Sequence, residues 1–216
     1  MSKYIRDLIE QGENQTLDFK YEISDSRKIA RTLVAFANTD GGILLVGVKD
    51  NGKIAGVRSE EEYFMIESAS QIFSSPEVAF SSVEWKIEGK TVFEVKVAKS
   101  SVRPHFVKSD ENKLLAYIRV NDQNLLANNI LLKVWKQEKN KEGILLKYEE
   151  TQQFLLEYLS VNKIITFSRF VKLANISRRK AERILVNYIL LNIIEIVVTE
   201  KITYYKLSLN RPKDTF

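Results

Sequence analysis

The sequence predicts an α+β protein built from two unlike parts, and three observations carry that reading. The first is a glycine-rich corner, Ala35–Asp50 with a tail running to Gly56, which holds five of the eight glycines. It reads as a helix end, a Gly41-Gly42 reversal, a buried strand Ile43–Val48 and a second turn at Asp50-Asn51-Gly52. The second is the alternation of helical and strand periods on either side of that corner. The third is a change of texture after Lys136–Gly143, KQEKNKEG, a charged stretch without apolar residues that marks a boundary between domains 1–138 and 144–210.

Taken in order, Tyr4–Gln11 has Ile5, Leu8 and Ile9 on one helical face. Thr16–Lys20 reads as a strand with Leu17 and Phe19 inward and Asp18 and Lys20 on the other side. Ser26–Asn38 is a helix with an Ile29, Leu33, Phe36 stripe. Asn38, Thr39 and Asp40 sit at its exit, where short polar side chains bond free backbone groups. Ser59 and Glu62 have capping-box spacing for a helix to about Phe73, and Pro76 ends any continuation. Ser82–Ile87 and Thr91–Ala98 form a hairpin around Glu88-Gly89-Lys90. Leu115–Val120 is a further strand, and Asn129 can cap a helix through Lys136.

Composition narrows the function. The chain has 216 residues, 44% of them hydrophobic and 28% charged, a soluble globular balance. No run of about 18 apolar residues suggests a membrane span, the N-terminus is too polar for a secretory signal, and a cytoplasmic location is expected. There is no cysteine, so thiolate chemistry and disulfides are excluded. The one histidine, His105, lies in a loop-like stretch without a nucleophile motif and reads as a surface residue. The net charge of +5 falls wholly after Ile144, where twelve Lys and Arg face seven Asp and Glu. That asymmetry points to a polyanion met by the C-terminal part.

In that part Glu149–Leu159 is a helix, Phe167–Ala174 a short one begun by Thr166 or Ser168, and Ser177 caps Arg178–Leu191. Ala181, Ile184, Leu185 and Tyr188 share one face of the last helix, and Arg178, Arg179 and Arg183 project elsewhere. Ile193–Thr199 and Ile202–Leu207 follow as a hairpin. This set resembles a winged helix-turn-helix. Ser177, Arg178, Arg179, Lys180 and Arg183 are then the expected nucleic-acid contacts, since cations at a helix N-terminus meet phosphates that backbone N–H groups also favour.

The first part resembles the Schlafen/AlbA-type domain. The resemblance rests on Glu13-(x4)-Asp18-Phe19-Lys20, on AFANTDGGILLVGVKDNGKIAG, and on AYIRVNDQNLLA at Ala116–Ala127. It implies a mixed sheet, and in prokaryotes such domains are often followed by a winged helix in predicted transcriptional regulators. Some animal members are metal-dependent RNA nucleases, whose three carboxylates carry over onto Glu13, Asp18 and Asp50 as ligands for Mg²⁺ or Mn²⁺. The second is usually glutamate, so Asp18 is one methylene shorter than the pattern. The resemblance also implies a homodimer, since animal members place two such lobes in one chain.

The expected function is therefore DNA binding in transcriptional regulation, with RNA as a possible target and no cofactor. On the first domain Lys20 is added as a contact to a substrate phosphate, and Arg119 and Lys108 as either backbone-contacting cations or solvated charges. The rival expectations are a nuclease using the three carboxylates with Mg²⁺ or Mn²⁺, and an interaction module that binds protein alone. Nucleotide binding has no support, because Gly41-Gly42 lacks the lysine and hydroxyl of a P-loop.

Overall fold

The computed structural model describes residues 2–111, 113–139 and 149–209, and the chain divides into two units, Met1–Ala127 and Asn128–Phe216. In the first unit the order is α1 (Ser2–Gln11), β1 (Leu17–Lys20), α2 (Ser26–Asn38), β2 (Gly42–Val46), α3 (Glu61–Gln71), β3 (Ser74–Ser75) and β4 (Phe80–Ile87). There follow β5 (Lys90–Val97), β6 (Phe106–Lys108), β7 (Leu114–Leu115), β8 (Tyr117–Val120) and β9 (Gln123–Leu126).

The main sheet is mixed, in the order β1-β2-β5-β4. β1 runs parallel to β2 with Asp18 opposite Leu44, whereas β2–β5 and β5–β4 are antiparallel. Period-two alternation sends Leu44, Val46, Val95 and Val97 into a core with α2 and α3. Leu17, Phe19, Leu45 and Val92 join Ile5 on the opposite face, where Leu8 and Ile9 of α1 pack. Both faces of β1 are thus covered, and Asp18, expected on an outer face, is buried with its neighbours. Small sheets β3-β6-β7 and β8-β9 complete the α2 side, contributing Val107 and Tyr117 to that core.

The glycine-rich corner follows from backbone demands. Thr39 N–H and Gly41 N–H both donate to Phe36 O, closing α2. Gly41 has φ +77°, and a Cβ there would stand 2.7 Å from Val97 O and 2.9 Å from Lys99 N. Only glycine fits. The β4–β5 turn places Glu88 and Gly89 at φ 53° and 75°, the two-residue turn that matches strand twist.

The second unit contains α4 (Asn129–Glu138), α5 (Glu150–Asn162), β10 (Ile164–Ile165), α6 (Phe167–Leu173), α7 (Arg178–Leu190), β11 (Ile194–Val198) and β12 (Thr203–Leu207). Its sheet is antiparallel in the order β10-β12-β11. Leu155, Leu159, Phe170, Ala181, Ile184, Leu185, Tyr188, Ile194 and Tyr205 form its core.

Three local expectations are corrected. The helix ahead of the charged stretch, placed by sequence with the first domain, belongs to the second unit. Its Ile130 and Val134 are buried in the α7 core, and Lys133 pairs with Glu182. The break therefore falls at Ala127–Asn128; of the charged stretch, residues 140–143 lie outside the described residues. Asn128, not Asn129, caps α4, accepting from Leu131 N–H. No Ser59 capping box forms. The Glu62 carboxylate instead accepts from Ile23 N–H at 2.9 Å and Arg58 N–H at 2.7 Å, loop donors without strand partners. Among the described residues no helix is long and apolar enough to cross a membrane.

Candidate functional site

Two places gather the expected site residues. The first lies at the outer edge of β1, the terminal strand of the main sheet. Glu13 Oε1 accepts the Phe19 N–H at 2.8 Å, supplying the partner that a missing strand would give. Asp18 is 2% exposed. Its Oδ2 accepts from Thr32 Oγ1 at 3.2 Å and meets Lys20 Nζ at 3.1 Å, and its Oδ1 meets Arg119 Nη2 at 3.3 Å.

Arg119 is equally buried, and each of its nitrogens is used. Nε donates to Asn14 O, Nη1 to Asn124 Oδ1, and Nη2 to Leu17 O, each at 3.1 Å. Its guanidinium also lies 5.4 Å from the Phe36 ring centroid. The expectation of a phosphate-contacting Arg119 is thereby corrected. This arginine is an interior tie that fastens β8 to β1 and α2, and it offers nothing to a ligand. Asn14, Thr32 and Asn124 belong to the same network and were not anticipated. An arginine in the middle of a strand, YIRV, was the available signal.

The two carboxyls interact. Burial, followed by the hydrogen bond to Asp18, raises Glu13 to about 7. Burial alone would raise Asp18 too, but the hydrogen bond with Glu13 and the charges of Lys20 and Arg119 outweigh it and hold Asp18 below its usual range. The two titrate as a pair, which holds one proton below about pH 7 and releases it above.

Such a pair must be tested as a cation site. A Mg²⁺ or Mn²⁺ ion needs free carboxylate oxygens. Both Asp18 oxygens already face cationic or hydroxyl donors, and Lys20 Nζ lies 3.9 Å from Glu13 Oε1 as well. Asp50 is exposed in the turn beyond β2. No group of three or more His, Asp or Glu able to hold a metal ion occurs among the described residues. Glu13 and Asp18 converge, Asp50 does not join them, and the donor set fits ion pairs better than a divalent ion. Asp40 is also exposed, meeting Gln15 Nε2 at 3.1 Å and Lys99 Nζ at 3.4 Å.

The second place is the start of α7. Ser177 caps it, its Oγ accepting from Lys180 N–H at 3.2 Å. Arg178, Arg179 and Arg183 are exposed, while Ala181, Ile184, Leu185 and Tyr188 are buried. Lys180 is half-buried and pairs with Glu149 at 3.0 Å. Arg178 is positioned with its guanidinium 5.0 Å from the Phe167 ring centroid of α6. Lys108 is exposed on β6. His105, expected at the surface, is buried, its ring held between Pro76 O at 2.9 Å and Ser100 Oγ at 2.7 Å.

Comparison with known proteins adds a family. The family model described as Schlafen, AlbA_2 matches residues 13–128, more than half of the chain. Comparison with curated proteins gives no significant match. Among solved structures, the DIP2311 protein from Corynebacterium diphtheriae is similar at 19% identity and a TM-score of 0.45 over 67% of this chain. The match spans only 34% of that protein. The N-terminal domain of a RecG-related protein from Nitrosomonas europaea is similar at 21% identity and a TM-score of 0.41. That match covers 58% of this chain and 95% of the other.

Proposed function

We propose, from the premise that the chain belongs to the Schlafen, AlbA_2 family, that it is a nucleic-acid-binding protein acting as a DNA-binding transcriptional regulator. The observation that carries this reading is the exposure of Arg178, Arg179 and Arg183 on an α7 whose other side is locked into the core. A helix anchored in this way presents fixed cations to a polyanion, with little further ordering required on binding.

The second unit reads as a winged helix, with α6 and α7 as the helix-turn-helix and β11–β12 as the wing. In that arrangement Arg178 and Arg179, beside the Ser177 cap, meet phosphates at the helix N-terminus. Arg183, one turn on, reaches toward base edges in the major groove. Lys180 is held by Glu149 and contributes less. A homodimer would present two such helices to a palindromic site.

Salt dependence tests the reading. Affinity for duplex DNA should fall steeply with salt, and the double variant Arg178→Ala/Arg179→Ala should reduce the slope by about 1.8 if each contacts one phosphate. An unchanged slope refutes the role of these arginines.

A metal-dependent nuclease is the second reading, favoured by the convergence of Glu13 and Asp18 alone. Lys20 and Arg119 hold that pair, so no step is assigned to a metal here. Cleavage of RNA or DNA that requires Mn²⁺ and disappears in Glu13→Gln would support it. No cleavage of either polymer would remove it.

A further inference from the structure

At the C-terminal end of β1 and β2 lies an aromatic–cationic cluster that the reading above does not use. Tyr21 follows β1 directly and is 36% exposed. Lys49 Nζ lies 4.8 Å and the Arg58 guanidinium carbon 5.3 Å from its ring centroid. Arg58 also donates to Tyr21 Oη at 2.9 Å and pairs with Glu22 at 2.8 Å. The hydrogen bond to Tyr21 and the charge of Glu22 raise Arg58 further above its ordinary value, so it stays charged. Exposed Lys53 lies in the turn after Lys49, and exposed Lys90, at the start of β5, donates from Nζ to Ile54 O at 2.9 Å.

The cluster is fixed from beneath. The buried carboxylate of Glu62 accepts from both Ile23 N–H and Arg58 N–H, tying the segment after Tyr21 to the backbone that carries Arg58. Gly47 N–H and Val48 N–H both donate to Lys20 O, bringing the start of the Lys49 turn alongside Tyr21. Three separate stretches of chain thus deliver one ring and two cations to one exposed spot.

We propose that Tyr21, Lys49 and Arg58 form a binding site for single-stranded nucleic acid, the ring taking an unpaired base and the two cations the flanking phosphates. The proposal rests on the nucleic-acid reading of the chain and adds the form of polymer that the first unit takes. An exposed ring stacks only on a base that has left its own stack, so a duplex cannot use it. Stacking on a base outweighs an exposed cation–ring contact, so the cations can leave the ring for phosphates as the base arrives. Glu22 shares Arg58 without using all five of its donors.

The test measures fluorescence anisotropy of the full chain with a labelled oligothymidylate of roughly ten residues and with a mixed-sequence duplex. Tyr21→Ala should weaken single-strand binding by about 5- to 150-fold, the range that one stacked base gives on alanine substitution. It should leave duplex affinity unchanged, and Tyr21→Phe, which keeps the ring, should stay within about twofold of the parent. Lys49→Ala, a change on an exposed turn, should lower the single-strand salt slope by about 0.7.

Single-strand affinity unchanged in Tyr21→Ala, or an unchanged slope in Lys49→Ala, overturns the proposal. So does a loss in Tyr21→Phe equal to that in Tyr21→Ala, and so does an equal loss on duplex and single strand. Loss of duplex binding in Arg178→Ala/Arg179→Ala with none of the Tyr21 effects would sink this site and leave the regulator reading standing. The reverse pattern would do the opposite.

Discussion

Arg119→Ala is expected to unfold the first unit far more readily without touching a ligand surface. The guanidinium holds Asp18, Asn14, Leu17 and Asn124 through four hydrogen bonds of 3.1–3.3 Å. Removing it leaves Asp18, still facing the partly exposed Lys20, as a buried carboxylate that has lost its interior partner. Breaking a buried pair from one side costs about 3–5 kcal/mol. With a urea dependence of about 1.5 kcal/mol per molar, the midpoint should fall by about 2–3 M. Trp85, whose indole donates to Glu94 at 2.8 Å within the first unit, is the reporter. The other tryptophan, Trp135, belongs to the second unit and is replaced by phenylalanine in all samples. Arg119→Lys keeps the charge but not the planar fork, and its midpoint should lie between the two. A shift below about 0.5 M, with a reduced salt slope for nucleic-acid binding, would refute the reasoning and return Arg119 to the phosphate contacts.

Because Glu13 is raised to about 7 in the folded chain, its stabilising contribution is present below its ordinary value and is lost as pH rises from about 4.5 through 7. Glu13→Gln should remove that part of the pH dependence in urea titrations, and identical pH profiles would contradict it. Asp18, being lowered, acts in the opposite sense, its contribution being lost as pH falls below the usual aspartate range. Gly41→Ala should destabilise the first unit by about 1–3 kcal/mol, because a Cβ meets backbone at a positive φ. A midpoint equal to the parent's would show that the corner relaxes freely.

Much of this architecture was legible because local signals were strong and agreed with one another. The Ile29, Leu33, Phe36 stripe, the hairpin around Glu88-Gly89-Lys90 and the Ser177 cap each depend on neighbours within a few residues, and each forms there, with Lys90 already paired in β5. What escaped depends on partners far away in sequence. Arg119 is interior because Asp18 lies 101 residues before it, and no period within YIRV carries that information. Glu62 has capping-box spacing to Ser59, yet Ile23 N–H, 39 residues earlier, claims its carboxylate. Helix α4 has an apolar stripe that could serve either unit, and only the α7 core decides which. His105 follows a proline in a polar loop, but Asn38 holds its backbone N–H at 2.8 Å and draws it inside.

In the proposed function exposed α7 arginines, and not the interior arginine, meet nucleic acid. Side-chain Nε–H resonances of Arg178, Arg179, Arg183 and Arg119 report on this directly during titration with duplex DNA. The three α7 signals should move with saturation, and the Arg119 signal, held on Asn14 O, should stay fixed. Movement of Arg119 while the α7 signals remain unchanged would contradict it.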